Sequence, residues 1–251
     1  MSSRESFACF VTGTDTGVGK THACATLLHR LRAAGYGAVG MKPIASGYEW
    51  HDEQRYNDDV AILRAASSVV VPLSQTCPFL LRTPCAPHLA ASQDKVHITL
   101  GPIESAFTAL RRQADAVVVE GVGGFHVPLD TDAYGVRLST ADLAVMLGLP
   151  VVMVVGIRLG CLNHAILTAE AIRANGLTLA GWIANRIHPD MLLADENIAT
   201  LHQALDAPCL GDLPWQLAPA EASAHIDLAP LIADAASLPT QHHAEACGRA
   251  A

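Results

Sequence analysis

The chain has 251 residues, a length that suits one large α/β domain, and its 24 Asp and Glu residues outnumber its 16 Lys and Arg residues to give a net charge of -8. No basic stripe is present that could neutralise a phosphate backbone, so nucleic acid is excluded as a partner. The seven cysteines are scattered without a CxxC pair, which argues against a disulfide framework and against a zinc site.

Continuous apolar segments predict six β-strands in chain order. They are FACFVT (7–12), AVGMK (38–42), AVVVE (116–120), PVVMVVG (150–156), LAGWIAN (179–185) and PCLGDLP (208–214). Helical spacing between them predicts helices over 20–34, 101–113, 161–175 and 190–206. Buried strands that alternate with helices are typical of a doubly wound α/β fold with a mostly parallel sheet.

We expect a single domain over residues 1–235. It carries an irregular excursion at 67–100 with a short helix from about His88, and the tail 236–251 has no apolar period and is predicted to be disordered. The N-terminal segment lacks the continuous apolar stretch of a signal peptide, and longer apolar runs are broken well before about 18 residues. The sequence therefore predicts a cytoplasmic protein with no membrane partner.

A glycine-rich turn joins the first strand to the first helix. Its pattern, GxxxxxGKT from Gly13 to Thr21, is one residue longer than the usual phosphate-loop (P-loop) spacing but has the strand and helix context which that motif requires. Glycines let backbone N–H groups face one point, while the helix N-terminus and Lys20 add positive charge. A purely structural turn would explain the glycines but not Lys20 and Thr21 at the helix start. The turn therefore predicts an ATP site.

Two acidic residues are candidates for holding Mg2+ at that site. Glu120 ends a predicted strand and is followed by glycines that allow close approach of phosphate, although it could also be a solvated strand end. Asp59 precedes an apolar-periodic helix, and on spacing alone an N-cap is the more favoured interpretation. Together with the Thr21 hydroxyl, these carboxylates would supply the hard oxygen ligands that Mg2+ prefers.

Lys42 lies at the end of the second predicted strand, near the edge of the sheet where ligands bind in open α/β folds. It could be an ordinary exposed lysine, yet the chain has only three lysines. If Lys42 faces Lys20 across the terminal phosphate of ATP, it can stabilise the charge that moves during phosphoryl transfer and would be catalytic. The hydroxyls of Thr16 and Ser46 would then line the acceptor pocket.

Seven segments spread over nearly the whole chain, to about residue 230, resemble the dethiobiotin synthetase family. In order they are GTDTGVGKT, KPIASG, APHLA, VEGVGG, RLGCLNHA, GWIAN and GDLPW. The resemblance implies a cyclo-ligase that converts 7,8-diaminopelargonic acid, CO2 (or bicarbonate) and ATP into dethiobiotin, ADP and phosphate. It also implies a carbamate and a carbamic-phosphoric anhydride on the way, with Mg2+ as cofactor.

The resemblance also implies roles for individual residues. Lys20 and Lys42 would be catalytic, the metal would be held by Thr21, Asp59 and Glu120, and Thr16 and Ser46 would contact the diamine or carbamate. The residues expected to bind ATP are Gly17, Val18, Gly19, Lys20, Thr21, His22, Asp59, Glu120, Gly121, Val122, Gly123, Asn185, Arg186, Pro214, Trp215, Gln216 and Glu221.

The segment RLGCLNHA is similar to the family's cradle for the substrate carboxylate, which lies at a helix N-terminus of the neighbouring subunit. Its expected substrate-binding residues are Gly160, Cys161, Leu162 and Asn163. Backbone N–H groups at a helix start suit an anion. Taken alone, Asn163 would more often be a helix cap. The resemblance implies a homodimer whose subunits share their substrate sites.

Two positions depart from the family pattern. Family members often carry Glu where this chain has Gly17, which predicts altered metal or nucleotide affinity rather than a lost reaction. The position after Asn185 is often Asp but here is Arg186, which cannot accept a hydrogen bond from a purine N–H group. The second departure predicts relaxed selectivity for the base.

A nucleotide-switched ATPase of the partitioning or cell-division-positioning type, the ParA and MinD class, is the nearest alternative. Such proteins resemble one another in a KGGxGKT loop with an additional lysine, and this chain has Asp15 at the corresponding place. A related cobyrinic acid synthetase would need a glutaminase domain, for which the chain is too short. A nucleotide-binding module without enzymatic activity would leave Lys42, Ser46 and the RLGCLNHA segment without a role.

Overall fold

A parallel sheet of six strands forms the centre of the fold in a computed structural model that describes residues 7–131 and 137–232. In spatial order the strands are β12 (Cys209–Leu213), β11 (Leu179–Arg186), β10 (Val151–Ile157), β1 (Phe7–Gly13), β7 (Ala116–Glu120) and β2 (Ala38–Met41). Every pairing in this sheet is parallel. The predicted doubly wound α/β fold is confirmed.

The strands are apolar throughout because the sheet is covered on both faces. Successive residues of β1 point to opposite sides: Phe10 packs with Val119 and Met153 in one cluster of buried side chains, whereas Val11 packs with Val118 in the other. All seven residues of β1 and of β10 are buried. An alternating pattern of apolar and polar residues would expose one face, so the continuous apolar runs determine a three-layer structure.

Helices cover the sheet on both faces. Those with eight or more residues are α1 (Lys20–Ala33), α2 (Asp58–Ala66), α4 (Pro87–Asp94), α5 (Leu100–Arg111), α6 (Thr140–Leu147), α7 (Cys161–Ala174) and α8 (Ala194–Ala204). The shorter helical segments are two single turns, α3 (Leu73–Thr76) and α9 (Pro219–Ala222), and a 3-10 turn (Ser223–His225), and residues 229–232 at the end of the described part are also helical. The residues of α1 pack on the face that contains Val11, and those of α5 and α7 pack on the face that contains Phe10.

Within the described residues, six short strands lie outside the central sheet. They are β3 (Ile44–Ser46), β4 (Glu49–His51), β5 (Gln54–Tyr56), β6 (Phe79–Leu81), β8 (Pro128–Thr131) and β9 (Arg137–Ser139). β3 pairs in parallel with β6, while β4 and β5 form an antiparallel hairpin, as do β8 and β9. The sequence did not predict these strands, because three or four residues are too few to establish a period.

The predicted elements agree with the structure to within a few residues. The largest difference at a helix start is at α8, predicted from residue 190 and beginning at Ala194. The excursion at 67–100 contains α3, β6 and α4, and α4 begins one residue before the expected His88. The tail 236–251 lies outside the described residues, so its predicted disorder stays a prediction. No helix in the described part of the chain is long and apolar enough to cross a membrane.

The topology brings the candidate residues to one edge of the sheet. β1 lies between β10 and β7, so the later strands of the chain are added on both sides of β1. The carboxyl ends of parallel strands share an edge, and ligands of open α/β sheets bind at this edge, where the strand order reverses. The phosphate loop after β1, Glu120 at the end of β7 and Lys42 after β2 all lie there.

Candidate active site

The phosphate loop is held in its shape by two left-handed glycines. Gly17 has a φ of 76° and Gly19 has a φ of 85°, and Gly19 is the residue that precedes α1. A β-carbon on Gly19 would lie 2.0 Å from Nδ2 of Asn185, whereas a β-carbon on Gly17 would meet nothing within 4 Å. Asn185 Nδ2 donates to the carbonyl of Val18 at 2.9 Å. The end of β11 is therefore fitted tightly against the loop at Gly19.

Lys20, the first residue of α1, is almost fully buried under the loop. Its ammonium group donates to the backbone carbonyl of Asp15 at 2.9 Å. Burial, and after it the positive charge of Lys42, lower the pKa of Lys20 to about 8. An anion placed within the loop would offset both effects, so the site favours a phosphate that restores the full charge of Lys20.

Asp15 ties the loop to the chain that follows β10. One oxygen of its carboxylate accepts from the N–H of Thr16 at 2.7 Å, and the other accepts from Nη2 of Arg158 at 2.6 Å. The Thr16 N–H and the Arg158 guanidinium lower the pKa of Asp15. This link joins the phosphate loop to the segment that begins α7.

Lys42 and the three predicted metal ligands form one cluster. The Lys42 ammonium donates to Asp59 Oδ2 at 3.0 Å and to Glu120 Oε1 at short range. The hydroxyl of Thr21 donates to the same Oε1 at 2.9 Å. Lys42 and Glu120 are buried, which excludes both the exposed-lysine and the solvated-strand-end alternatives.

The electrostatics of this cluster follow from burial and pairing. Burial alone would lower the pKa of Lys42, but the carboxylates of Glu120 and Asp59 outweigh it and raise this pKa. Burial raises the pKa of Glu120, and Lys42 opposes that effect. For Asp59, burial acts upward, but the charge of Lys42 prevails and lowers the pKa. The Lys42 ammonium thus favours the ionised form of both carboxylates, against the effect of burial.

Asp59 reaches this cluster from the first turn of α2, and another residue caps that helix. Asn57 is the N-cap: its Oδ1 accepts from the N–H of Val60 at 3.3 Å. Its Nδ2 donates to the carbonyls of Ser46 at 3.3 Å and Gly47 at 3.2 Å. The interpretation of Asp59 as an N-cap is therefore wrong, and Asn57 aligns α2 with the end of β3.

The donor set fits a magnesium ion. Oε2 of Glu120 is buried and has no hydrogen-bond partner among the described residues, so a cation would satisfy it. Within the described ranges no three His, Cys, Asp or Glu side chains form a metal cage. Two carboxylates and a hydroxyl are what Mg2+ uses when phosphate oxygens and water complete its shell.

The hydroxyl of Ser46 is a second buried polar atom without a partner among the described residues. It lies at the end of β3, on the strand segment that Asn57 holds. Thr16, by contrast, is exposed in the phosphate loop. A β-carbon on Gly123 would lie 3.7 Å from Thr16 Oγ1, so the glycine segment after β7 borders the loop closely. That segment includes the predicted Gly121 and Val122.

A cavity of about 530 Å³ adjoins the loop on the side of β11 and β12. Six of its lining residues are predicted ATP-binding residues, namely His22, Asn185, Arg186, Pro214, Trp215 and Gln216, and the other four are Ile187, Leu217, Ala218 and Pro219. Trp215 is 43% exposed and offers an aromatic face to a planar group. Glu221 is exposed in α9 and is not among the lining residues.

Arg186 does not extend freely into this cavity. Its guanidinium donates to both oxygens of Asp212, from Nε at 2.9 Å and from Nη2 at 2.7 Å, and Nη2 also donates to Asp195 at 2.5 Å. The hydrogen bonds that Arg186 donates to Asp212 and Asp195 raise its pKa. Both carboxylate oxygens of Asp212 are therefore engaged by Arg186.

The predicted carboxylate cradle lies at the start of α7. Gly160 has a φ of 92° and precedes the helix, and no side chain caps it, so the interpretation of Asn163 as a cap is wrong. Asn163 is exposed, whereas the Cys161 side chain is buried in the core. The N–H of Cys161 already donates to the carbonyl of Arg158 at 3.0 Å. An anion would therefore be left with Gly160, Leu162 and Asn163.

Comparison with known proteins decides the family. A family model described as an AAA domain matches residues 8–222. The ATP-dependent dethiobiotin synthetase BioD of Ralstonia nicotianae is 55% identical over 229 residues, which cover 90% of this chain and 98% of that protein. The protein of the same name from Aromatoleum aromaticum is 56% identical over 207 residues, which cover 82% of this chain and 90% of that one. The chain belongs to the dethiobiotin synthetase family.

Membership of the dethiobiotin synthetase family confirms the resemblance drawn from the seven segments and makes the chain an enzyme of the ligase class. Among solved structures, a ParA family ATPase from Chlorobium tepidum has a TM-score of 0.51 at 12% identity, covering 84% of this chain and 85% of that one. This likeness shows the P-loop fold alone, so the alternative of a partitioning ATPase is not favoured.

Sequence reasoning missed three residues that shape the site. Asn57 had a signal, because an Asn directly before two acidic residues and an apolar-periodic segment is a typical N-cap. For Asp212 and Arg158, no sequence signal indicates that they pair with Arg186 and Asp15. Arg158 lies 143 positions from Asp15, and only the parallel pairing of β1 with β10 brings them together.

Proposed function

We propose that the chain closes the ureido ring of dethiobiotin from 7,8-diaminopelargonic acid, CO2 and ATP, and releases ADP and phosphate. The observation that carries the proposal is the convergence of Lys42, Asp59, Glu120 and Thr21 beside the phosphate loop. A site with a phosphate loop, a second lysine and two carboxylates is suited to phosphoryl transfer from a metal-bound nucleoside triphosphate.

The reaction proceeds in three balanced steps. One amine of the diamine adds to CO2 and loses a proton, which gives a carbamate. A carbamate oxygen attacks the γ-phosphorus of ATP while the bond to ADP breaks, which gives the carbamic-phosphoric anhydride. The second amine then attacks the carbamoyl carbon, loses a proton and expels phosphate. Since both amines belong to one molecule, the last attack is intramolecular and gains from high effective concentration.

The two lysines stabilise the charge that develops on the phosphoryl group. Lys20 lies under the loop and Lys42 lies across the site from it at the end of β2, and both are buried. Ammonium groups held in a site of low dielectric stabilise negative charge more than they would in water. The loop residues Gly17, Val18, Gly19, Thr21 and His22, with Gly121, Val122 and Gly123, surround the phosphates.

Thr21, Asp59 and Glu120 would hold Mg2+, which supplies charge neutralisation at the phosphate oxygens. Glu120 contributes a buried, unpartnered oxygen, and Asp59 is aligned by the cap at Asn57. The proposed role of both carboxylates is therefore to bind the metal ion that accompanies the nucleotide.

The acceptor pocket lies between the loop and the end of β3. The buried, unpartnered hydroxyl of Ser46 would bond the carbamate, and Thr16 would contact the diamine from the loop. The start of α7, from Gly160 to Asn163, would bind the substrate carboxylate through backbone N–H groups.

The nucleoside would occupy the cavity beside β11. Asn185, Arg186 and the segment Pro214, Trp215 and Gln216 line it, and Glu221 would act from the neighbouring turn α9. Asn185 Nδ2 is engaged by Val18, so the side-chain oxygen of Asn185 is the atom left for the base.

We further propose a homodimer in the cytoplasm that shares its substrate sites. Leu159 is 95% exposed and Leu167 is 55% exposed at the start and in the middle of the α7 region, which supports a partner subunit at this surface. The six described cysteines are free thiols, as expected in a reducing compartment.

The test is ADP release measured with and without the diamine and bicarbonate. Dependence on both substrates is expected, whereas a switch ATPase would hydrolyse ATP without either, and that outcome would refute the proposal.

Lys42→Gln should retain nucleotide binding and lower turnover on the order of 100-fold or more, the scale of losing one donor to the transition state. Turnover equal to that of the unchanged chain would remove Lys42 from the mechanism.

A further inference from the structure

Lys42 occupies the space between two carboxylates that come from different elements. Glu120 ends β7 and Asp59 lies in the first turn of α2, and the Lys42 ammonium donates to both. Its contact on Glu120 is the oxygen that also accepts from Thr21. The ammonium therefore lies among all three candidate ligands of the metal.

Lys42 is also the cation that balances Glu120. The side chain of Glu120 is fully buried, and within the described ranges no other basic side chain forms an ion pair with it. Lys20 is directed to the carbonyl of Asp15 instead. A buried carboxylate without a cation or hydrogen-bond donors is strongly destabilising. The protein without nucleotide thus depends on Lys42 to hold its two acidic side chains together.

An ammonium group and a metal ion cannot share this position. A divalent ion held by Thr21, Asp59 and Glu120 would be bound by the same carboxylates that now accept from the Lys42 ammonium. Two cations on the same carboxylates repel each other strongly in a site of reduced dielectric, and the double charge of the metal ion increases the repulsion. One of the two cations must leave when the other is bound.

We infer that Lys42 is the built-in counter-ion of the metal site, exchanged for the divalent cation that enters with the nucleotide. The inference rests on the proposed function, because it assigns the arriving cation to Mg2+ bound with ATP. The exchange has two consequences. Divalent ions bind weakly while Lys42 is in place, and the arriving ion releases the Lys42 ammonium toward the phosphoryl group that it is proposed to stabilise.

The experiment measures Mn2+ binding to the full chain without nucleotide, by the electron paramagnetic resonance signal of the free ion. Lys42→Met should bind Mn2+ at least tenfold more tightly than the unchanged chain. Lys42→Arg retains the positive charge and should bind it no more tightly. Lys20→Met removes a buried lysine that donates to a carbonyl instead of the carboxylates, so it is the matched control and should change affinity less.

Equal affinity in Lys42→Met and the unchanged chain would overturn the inference, as would an equal gain in Lys42→Met and Lys20→Met. If Lys42→Met does not fold in metal-free buffer, Mg2+ should restore its folded circular dichroism spectrum. Sodium chloride of matched ionic strength should not restore it, and failure of Mg2+ to do so also overturns the inference. The binding measurement uses neither diamine nor ATP, so its result is separate from the ADP-release test of the proposed function.

Discussion

Replacing Gly19 by alanine measures how tightly the phosphate loop is fitted against β11. Gly17 provides the matched control, because both glycines have a positive φ, 76° and 85°. For each, the left-handed conformation costs an alanine about 1–2 kcal/mol of the free energy of unfolding. This is the whole expected loss at Gly17, where an added β-carbon meets nothing within 4 Å.

Gly19→Ala should cost more, because its β-carbon would lie 2.0 Å from Asn185 Nδ2. Asn185 would have to move and give up its hydrogen bond to the carbonyl of Val18. Leaving buried polar groups unpaired costs about 1–3 kcal/mol. The total loss at Gly19 should therefore be about 2–5 kcal/mol, and it should exceed the loss at Gly17 by about 1–3 kcal/mol.

Urea denaturation of the nucleotide-free chain measures both losses. The double variant Gly19→Ala with Asn185→Ala removes the group that the new β-carbon meets, so the two changes should be non-additive. Equal losses in Gly17→Ala and Gly19→Ala, or additive effects in the double variant, would show that the contact with Asn185 does not constrain the loop.

Three further predictions concern the residues around the loop. The lowered pKa of Asp15 contributes stability that is fully present above about pH 4 and is lost as the pH falls further, through the lowered pKa of the folded state. Asp15→Asn should therefore reduce the loss of unfolding free energy on acidification by at most about 1 kcal/mol, since Asp15 is half-exposed, and an unchanged acid denaturation curve would contradict this. ATP, GTP and CTP should support turnover within about tenfold, because Arg186 presents no acceptor to a purine amino group, and steady-state rates showing a strict ATP preference would refute it. Asn57→Ala should cost about 1–2 kcal/mol in urea denaturation and weaken Mg2+ binding through Asp59, whereas unaltered metal affinity would separate the cap from the site.

The central sheet could be predicted because its strands are buried on both faces. Continuous apolar runs of seven residues, such as those of β1 and β10, indicate buried parallel strands when helical segments lie between them. The hairpin of β4 and β5 could not be predicted, because all six of its strand residues are exposed and burial imposes no pattern on them. Pairing there is local, and its turn uses positive φ at Asp52 and Glu53 instead of glycine.

The candidate site also contains parts that the sequence could predict and parts that it could not. The phosphate loop could be read from spacing alone, because its chemistry depends on residues that are adjacent in sequence. The ambiguity at Asp59 and Lys42 had a different origin: a side chain at a strand end or helix start is defined by its partner, and the partner lies on another element. The Asn57 cap and the contact with Lys42 resolved Asp59, and burial beside Glu120 resolved Lys42.

Charge compensation explains why these partners recur throughout the site. Apart from Lys20, which donates to a backbone carbonyl, the buried and half-buried charges near the loop are matched within the protein: Lys42 by two carboxylates, Asp15 by Arg158, and Arg186 by Asp212 and Asp195. Burying an unpaired charge is costly, so the ligand-free protein pairs most of the charges in its own site. Ligands that carry both charges, a polyphosphate with its cation, can replace such pairs without leaving either charge unmatched. A nucleotide supplied without a divalent ion should therefore bind weakly, because it would add anions beside carboxylates that Lys42 alone must balance.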